Sequence, residues 1–283
     1  MQGTLYDTCT HISSKHDLFN LKLKEVWQYR ELIALFTKRS FKVAYMQTIL
    51  GPLWLFINPM LTSITHLIVF GNIAKLGTDG IPQLLFYFSG NAIWTFFSSC
   101  VNGNASTFTS NSGLFGKVYF PRLTIPISHV LSNAIRFLIQ MSIVAVLIVY
   151  YLWQGLLVMH PLRLLLLPLI LLWLGVMGMG CGIILSSLTT KYRDLTVLVG
   201  FGLSLWMYGT PVVYPLSMLT GTLRYLIIIN PVTMPVELFR WTLLGTGTLD
   251  VPYITISLIF TAVVFLLGVV MFNRVERTFM DTV

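Results

Sequence analysis

The chain has 283 residues, 55% of them hydrophobic and 10% charged, with a mean hydropathy of +0.79. Soluble domains carry about 25% charged residues, so the composition argues against a water-soluble globular enzyme; it also excludes disorder, which needs low hydrophobicity and high charge. The net charge of +8 says less than where the charges fall, and nucleic acid is not an expected partner of so apolar a chain.

Residues 1–47 read as a cytoplasmic segment. They hold no apolar core of a cleavable signal peptide, but they do hold an amphipathic pattern. Val26, Tyr29, Leu32, Ile33 and Phe36 share one helical face, and Lys24, Arg30, Glu31 and Lys38 lie away from it. Trp27 and Leu35 interrupt the polar side. Such a helix is expected in the headgroup plane, with Lys38, Arg39 and Lys42 near anionic lipid; a solvated basic helix is the alternative.

Residues 48–283 read as a membrane domain. A crossing needs about 20 apolar residues, and six stretches supply them: 48–73, 82–102, 124–152, 164–189, 195–219 and 251–273. Residues 220–250 carry Arg224, Glu237, Arg240 and Asp250, with Pro231 and Pro235 between two apolar pieces too short to cross. They read as re-entrant helices; a single, poorly marked seventh span is the alternative. Basic residues outside the spans divide thirteen to four between the two sides, which places both termini in the cytoplasm. A seventh span would move Arg274 and Arg277 outside. The expected fold is therefore all-α and integral to the membrane. It has six transmembrane helices, an N-terminal amphipathic interface helix, and re-entrant helices between spans five and six.

None of the six spans contains Asp or Glu. Ion-coupled carriers use intramembrane carboxylates, and acid–base enzymes need a titratable pair at the substrate. His66 and His129 have no acidic neighbour in sequence and read as packing or interfacial residues. Cys9, Cys100 and Cys181 show neither disulfide nor zinc spacing. The stretch Asn111 to Val118 lacks the first Gly and the final Ser/Thr of a phosphate loop, so the chain is not expected to hydrolyse ATP. The spans are instead rich in aromatic rings, which stack on sugars as well as on each other. Trp54, Phe56, Tyr87, Trp94, Trp206, Tyr208 and Tyr214 are the candidates for a substrate path, against the alternative of an interfacial belt and ordinary packing. Gly51-Pro52, Asn58-Pro59, Thr210-Pro211 and Tyr214-Pro215 predict kinks in spans one and five. Arg136 lies inside span three with no acidic partner in any span. It is expected either to face a water-filled substrate path, gripping a phosphate, or to sit among headgroups if span three begins later.

Five segments occur in a telling order. They are Gly51-Pro-Leu-Trp54 with Pro59, Gly116-Lys-Val-Tyr-Phe-Pro-Arg122, Lys191-Tyr-Arg-Asp-Leu195, Thr210-Pro-Val-Val-Tyr-Pro215, and Asn230-Pro231 through Glu237-Leu-Phe-Arg240. Together, from about Glu31 to Arg240, they resemble the membrane subunit of polysaccharide-exporting ABC transporters, the O-antigen, teichoic acid and capsule exporter permeases. The resemblance implies a homodimer in the bacterial inner membrane, paired with two copies of a cytoplasmic ATPase that carries ATP and Mg. It implies undecaprenyl-linked glycan as substrate and no cofactor on this chain.

By position, Gly113, Leu114, Phe115, Gly116, Lys117 and Val118 correspond to the coupling segment that meets the ATPase, with Leu114, Phe115 and Val118 as apolar anchors. The region holding Arg224, Leu226, Pro231, Glu237, Phe239 and Arg240 corresponds to an outer gate. Val43-Ala44 precede Tyr45 where the family often has a basic residue, which removes any headgroup contact assigned to that position. The alternatives are an ABC permease for a drug or small lipid and a membrane-embedded glycosyl- or acyltransferase; the carboxylate-free spans argue against the enzyme.

Overall fold

The computed structural model describes residues 23–45, 48–115, 120–157, 160–190, 192 and 194–282. They form helices and connecting turns, with no strand among them. Five helical stretches are long and apolar enough to cross a membrane: Gly51–Ile73, Gln83–Ala105, Thr124–Trp153, Pro161–Thr189 and Val251–Val275. All five lie close to expected ranges.

The first stretch opens with a short 3-10 turn at Gly51–Leu53 and continues as α3 (Trp54–His66), which runs through Pro59. It then widens into a π-helical segment at Leu67–Ile73. The other long helices are α4 (Gln83–Ala105), α6 (Thr124–Trp153), α7 (Leu167–Thr189) and α11 (Val251–Thr282).

The fifth expected span differs. Helix α8 (Leu195–Tyr208) has 14 residues, about 21 Å at 1.5 Å per residue, short of a hydrocarbon core of about 30 Å. Gly209 caps it, and Pro211 lacks the N–H that another turn would need. The prolines expected to kink span five therefore end it, and residues 209–219 turn rather than continue the helix. Two short helices follow, α9 (Gly221–Ile229) and α10 (Thr233–Leu244), parted at Asn230-Pro231. Neither is long enough to cross. Gly245, at φ 78°, closes α10 in the left-handed conformation that glycine adopts without steric cost.

The core is built around α7, which lies between α4 and α11. Lipid tails offer helices no hydrophobic reason to associate, so close backbone approach through small residues does the work. Gly182 is the tightest point: a Cβ there would stand 2.4 Å from Cβ of Asn104 and 2.8 Å from the Val101 carbonyl oxygen. Side-chain hydrogen bonds fix the register. Trp173 Nε1 donates to Thr261 Oγ1 at 2.9 Å, and Thr189 Oγ1 donates to the Ala105 carbonyl at 2.8 Å.

At the N-terminal side, α1 (Leu23–Gln28) and α2 (Arg30–Tyr45) carry the amphipathic pattern. Their apolar face does not wait for lipid. Val26 is buried, and Tyr29, Leu32, Ile33 and Phe36 pack on a cluster that includes Phe120, Leu123 and Phe272. Phe36 and Phe120 rings lie 5.7 Å apart, and Ser132 Oγ donates to the Thr37 carbonyl at 3.4 Å. The face expected in the headgroup plane is thus occupied by the protein itself. Trp27 and Leu35, on the interrupted polar side, are exposed, as is Val43 near the end of α2.

Candidate functional site

A cleft of about 220 Å³ lies between α3, α4 and α6, which belong to three of the helical stretches long and apolar enough to cross a membrane. Each helix gives it one stripe. Helix α3 contributes Trp54, Asn58 and Thr62; α4 contributes Asn91, Thr95 and Ser99; α6 contributes Asn133, Arg136 and Gln140. Spacings of three and four residues put each set on one helical face. The apolar lining comes from Leu55, Pro59, Phe96 and Phe137. Asn91, Asn133 and Gln140 are buried, whereas Asn58 and Thr62 are exposed at the α3 side, where the cleft opens. Arg136 is half-buried, the thirteenth residue of α6, about 18 Å from its start.

The aromatic candidates divide. Trp54 and Arg136 share the cleft. Trp94 and Trp206 meet in a packed cluster with Phe97, their centroids 6.4 Å apart and Phe97–Trp206 at 5.5 Å. Tyr87 is fully buried, and its hydroxyl has no hydrogen-bond partner among the described residues. Tyr214 donates its hydroxyl to the Tyr208 carbonyl at 3.0 Å, and the Tyr208 ring is exposed. Phe56 is half-buried. The structure therefore does not bring these rings into one track within a single chain.

A second constellation holds the corner between α8 and α10. Asn230 Nδ2 donates to the Gly209 carbonyl at 2.7 Å and to Thr210 Oγ1 at 3.0 Å, and its Oδ1 accepts from Trp206 Nε1 at 3.1 Å. Arg240 is buried against the Phe86 ring, 4.2 Å from its centroid. Its Nη1 pairs with Glu237 Oε1 at 2.7 Å, and Nη2 donates to the Pro211 carbonyl at 2.8 Å. The other Glu237 oxygen accepts from the Thr248 N–H at 2.9 Å. An ion pair this buried survives because each partner's remaining valence is met by the backbone.

The outer-gate residues fall on both sides of this corner. Glu237, Phe239 and Arg240 are interior, with Phe239 ring-packed against Phe137 at 5.9 Å. Phe239 is therefore not a surface-lining residue of this chain. Leu226 on α9 is 63% exposed, Arg224 is half-buried, and the Pro231 carbonyl accepts from Ser257 Oγ.

The coupling segment lies at the end of α5 (Thr107–Phe115), kinked at Asn111. Phe115 is buried, stacked on Phe120 at 5.7 Å and tilted against Phe108 at 6.0 Å, with the Arg122 guanidinium 5.2 Å above its ring. Its ring packs within the chain and is not offered to a partner as an anchor; the reason is the apolar cluster that Phe108 and Phe120 build around it. Leu114 is half-buried and Gly113 exposed. Gly116, Lys117 and Val118 lie outside the described residues.

Reasoning from sequence missed Asn58, Thr62, Asn91, Thr95, Ser99, Asn133 and Gln140, and also Asn230. The signal was present as polar residues repeating at helical spacing within otherwise apolar spans.

Comparison with known proteins supplies the family. The chain matches the ABC-2 type transporter family over residues 31–244. It is 28% identical over 272 residues to a protein of Klebsiella pneumoniae named O-antigen export system permease protein RfbA, covering 93% of this chain and 99% of that one. A second Klebsiella pneumoniae protein of the same name is 29% identical over 254 residues, covering 89% of this chain and 94% of its own length. One from Myxococcus xanthus is 31% identical over 196 residues, 69% of this chain and 72% of that protein. The order of motifs and the match agree: this chain belongs to the ABC-2 type transporter family, as a multi-pass membrane protein.

Proposed function

We propose that the chain is the transmembrane subunit of an ATP-driven exporter that moves lipid-linked, O-antigen-like polysaccharide across the bacterial inner membrane. The observation that carries this reading is the similarity to O-antigen export permeases along 93% of this chain and 99% of a relative's length. In this reading α8 is a sixth crossing completed by residues 209–215, and α9 and α10 are re-entrant helices at the outer end. The thirteen-to-four division of basic residues supports cytoplasmic termini.

The chain works as a homodimer with two copies of a separate ATPase, which holds ATP and Mg. The exposed apolar face of α8 (Val197, Leu198, Phe201 and Leu205) supports a further contact within the membrane. Residues 113–118 couple to the ATPase, with Gly113 and Leu114 nearer the surface than Phe115, which packs within the chain. The outer gate moves as a unit about the Asn230 and Arg240 corner. The substrate path forms where two chains meet, from exposed rings such as Trp54 and Tyr208 rather than from the packed Tyr87 and Trp94.

Co-purification with a candidate ATPase, followed by ATP hydrolysis with and without undecaprenyl-linked glycan, tests the reading. It expects a stable complex whose hydrolysis responds to the glycan. A complex that responds to a drug or a small lipid and ignores the glycan would overturn it.

A further inference from the structure

We infer that the cleft between α3, α4 and α6 is a binding site for the phosphate headgroup of a membrane lipid. Arg136 is the one cationic side chain in the lining, and no carboxylate lines it. Asn91 and Gln140 present carboxamides to the space, and each is more than nine-tenths buried. Neither amide makes a side-chain hydrogen bond within the described residues. Neither amide is among the side-chain atoms sealed from the surface without a partner, so three helices that each turn a polar stripe to one space offer their donors and acceptors to an occupant. Guanidinium and amide N–H groups converging on one space suit an anion rich in acceptor oxygens. A volume of about 220 Å³ admits a phosphate or diphosphate, given about 30 Å³ for each water displaced.

The mouth decides how that anion arrives. Beside the exposed Asn58 and Thr62, α3 also exposes Trp54 and Leu61. A free ion would cross this apolar rim stripped of water and alone. A lipid brings its tail to the rim and only its headgroup to the cleft. The export reading enters in one respect alone, the identity of the lipid.

The test measures binding, not transport. Full-length chain in neutral detergent is titrated with a polyprenyl diphosphate, the matching polyprenol, phosphatidylglycerol and inorganic phosphate, with bound lipid counted by native mass spectrometry. Phosphate-bearing lipid should bind and polyprenol should not. Arg136→Gln should weaken binding about tenfold or more, the weight of one charge-assisted hydrogen bond. Gln140→Leu and Asn91→Leu should each weaken it about threefold or more, and they keep the test open if Arg136→Gln does not fold. A preference for the diphosphate assigns the site to the exported carrier, and equal binding of phosphatidylglycerol assigns it to bulk phospholipid; the site stands in both cases. Polyprenol binding as tightly as its diphosphate, inorganic phosphate binding as tightly as the lipids, or unchanged affinity in the amide variants would each overturn it. Retained binding in a chain that exports no glycan would refute the export reading and leave this site standing.

Discussion

The two sides of α4 solve the same problem in opposite ways. Towards α7, α4 presents Val101 and Asn104 to Gly182 at distances that leave no room for a methyl group. Towards α3 and α6 it presents Asn91, Thr95 and Ser99 to a gap. In a solvent of lipid tails, small residues let backbones touch and so fix two helices together, whereas Asn91 and Gln140 face the gap with no side-chain hydrogen bond among the described residues. The α4–α7–α11 group is therefore the close-packed frame, and the α3–α4–α6 cleft is the place where space is left between helices.

The largest expected effect falls on the frame. Gly182→Leu inserts a side chain where even a Cβ meets Asn104 at 2.4 Å, and the helices must separate or fail to assemble. Loss of monodisperse protein from membranes, read by fluorescence-detected size exclusion, is the expected outcome; wild-type yield would break the comparison.

Next comes the corner behind α8. Arg240→Leu strands Glu237 in the interior, which costs about 3–5 kcal/mol. The double change of Glu237→Leu with Arg240→Leu should recover much of that loss in thermal unfolding, because the stranded charge is gone. Asn230→Ala removes the hydrogen bonds to Gly209, Thr210 and Trp206. It should cost about 1–3 kcal/mol and shift the emission of Trp206.

The smallest effect on stability is expected in the cleft. Gln140→Leu removes a buried amide that no described residue satisfies, so the unfolding midpoint should stay unchanged or rise slightly. A loss as large as that of Asn230→Ala would mean that the cleft wall is part of the frame.

Much of this architecture was legible in the sequence, and what was not has physical reasons. The five long helices follow from unbroken apolar runs, and the break at Asn230-Pro231 follows from proline chemistry. The helix of the fifth expected span stops at Tyr208, before Gly209 and Pro211, although the apolar run continues through Val212 and Val213. The family resemblance assigns Phe115 and Phe239 to the coupling segment and the outer gate by their positions. Their burial depends on Phe108, Phe120 and Phe137, which only the fold brings near. Arg136 was visible as an anomaly, but its neighbours were not. Asn91, Asn133 and Gln140 are uncharged, lie within apolar spans, and gain meaning only when three helices meet.

The proposed function is transfer of lipid-linked polysaccharide across the membrane. Its most direct test is reconstitution of the chain and its ATPase into vesicles holding undecaprenyl-linked glycan in the leaflet that faces the ATPase, with transfer to the opposite leaflet followed by an impermeant glycan-cleaving enzyme. The account predicts transfer that requires ATP hydrolysis and stops with a catalytically inactive ATPase. Glycan that stays in its original leaflet through repeated ATP turnover would contradict it.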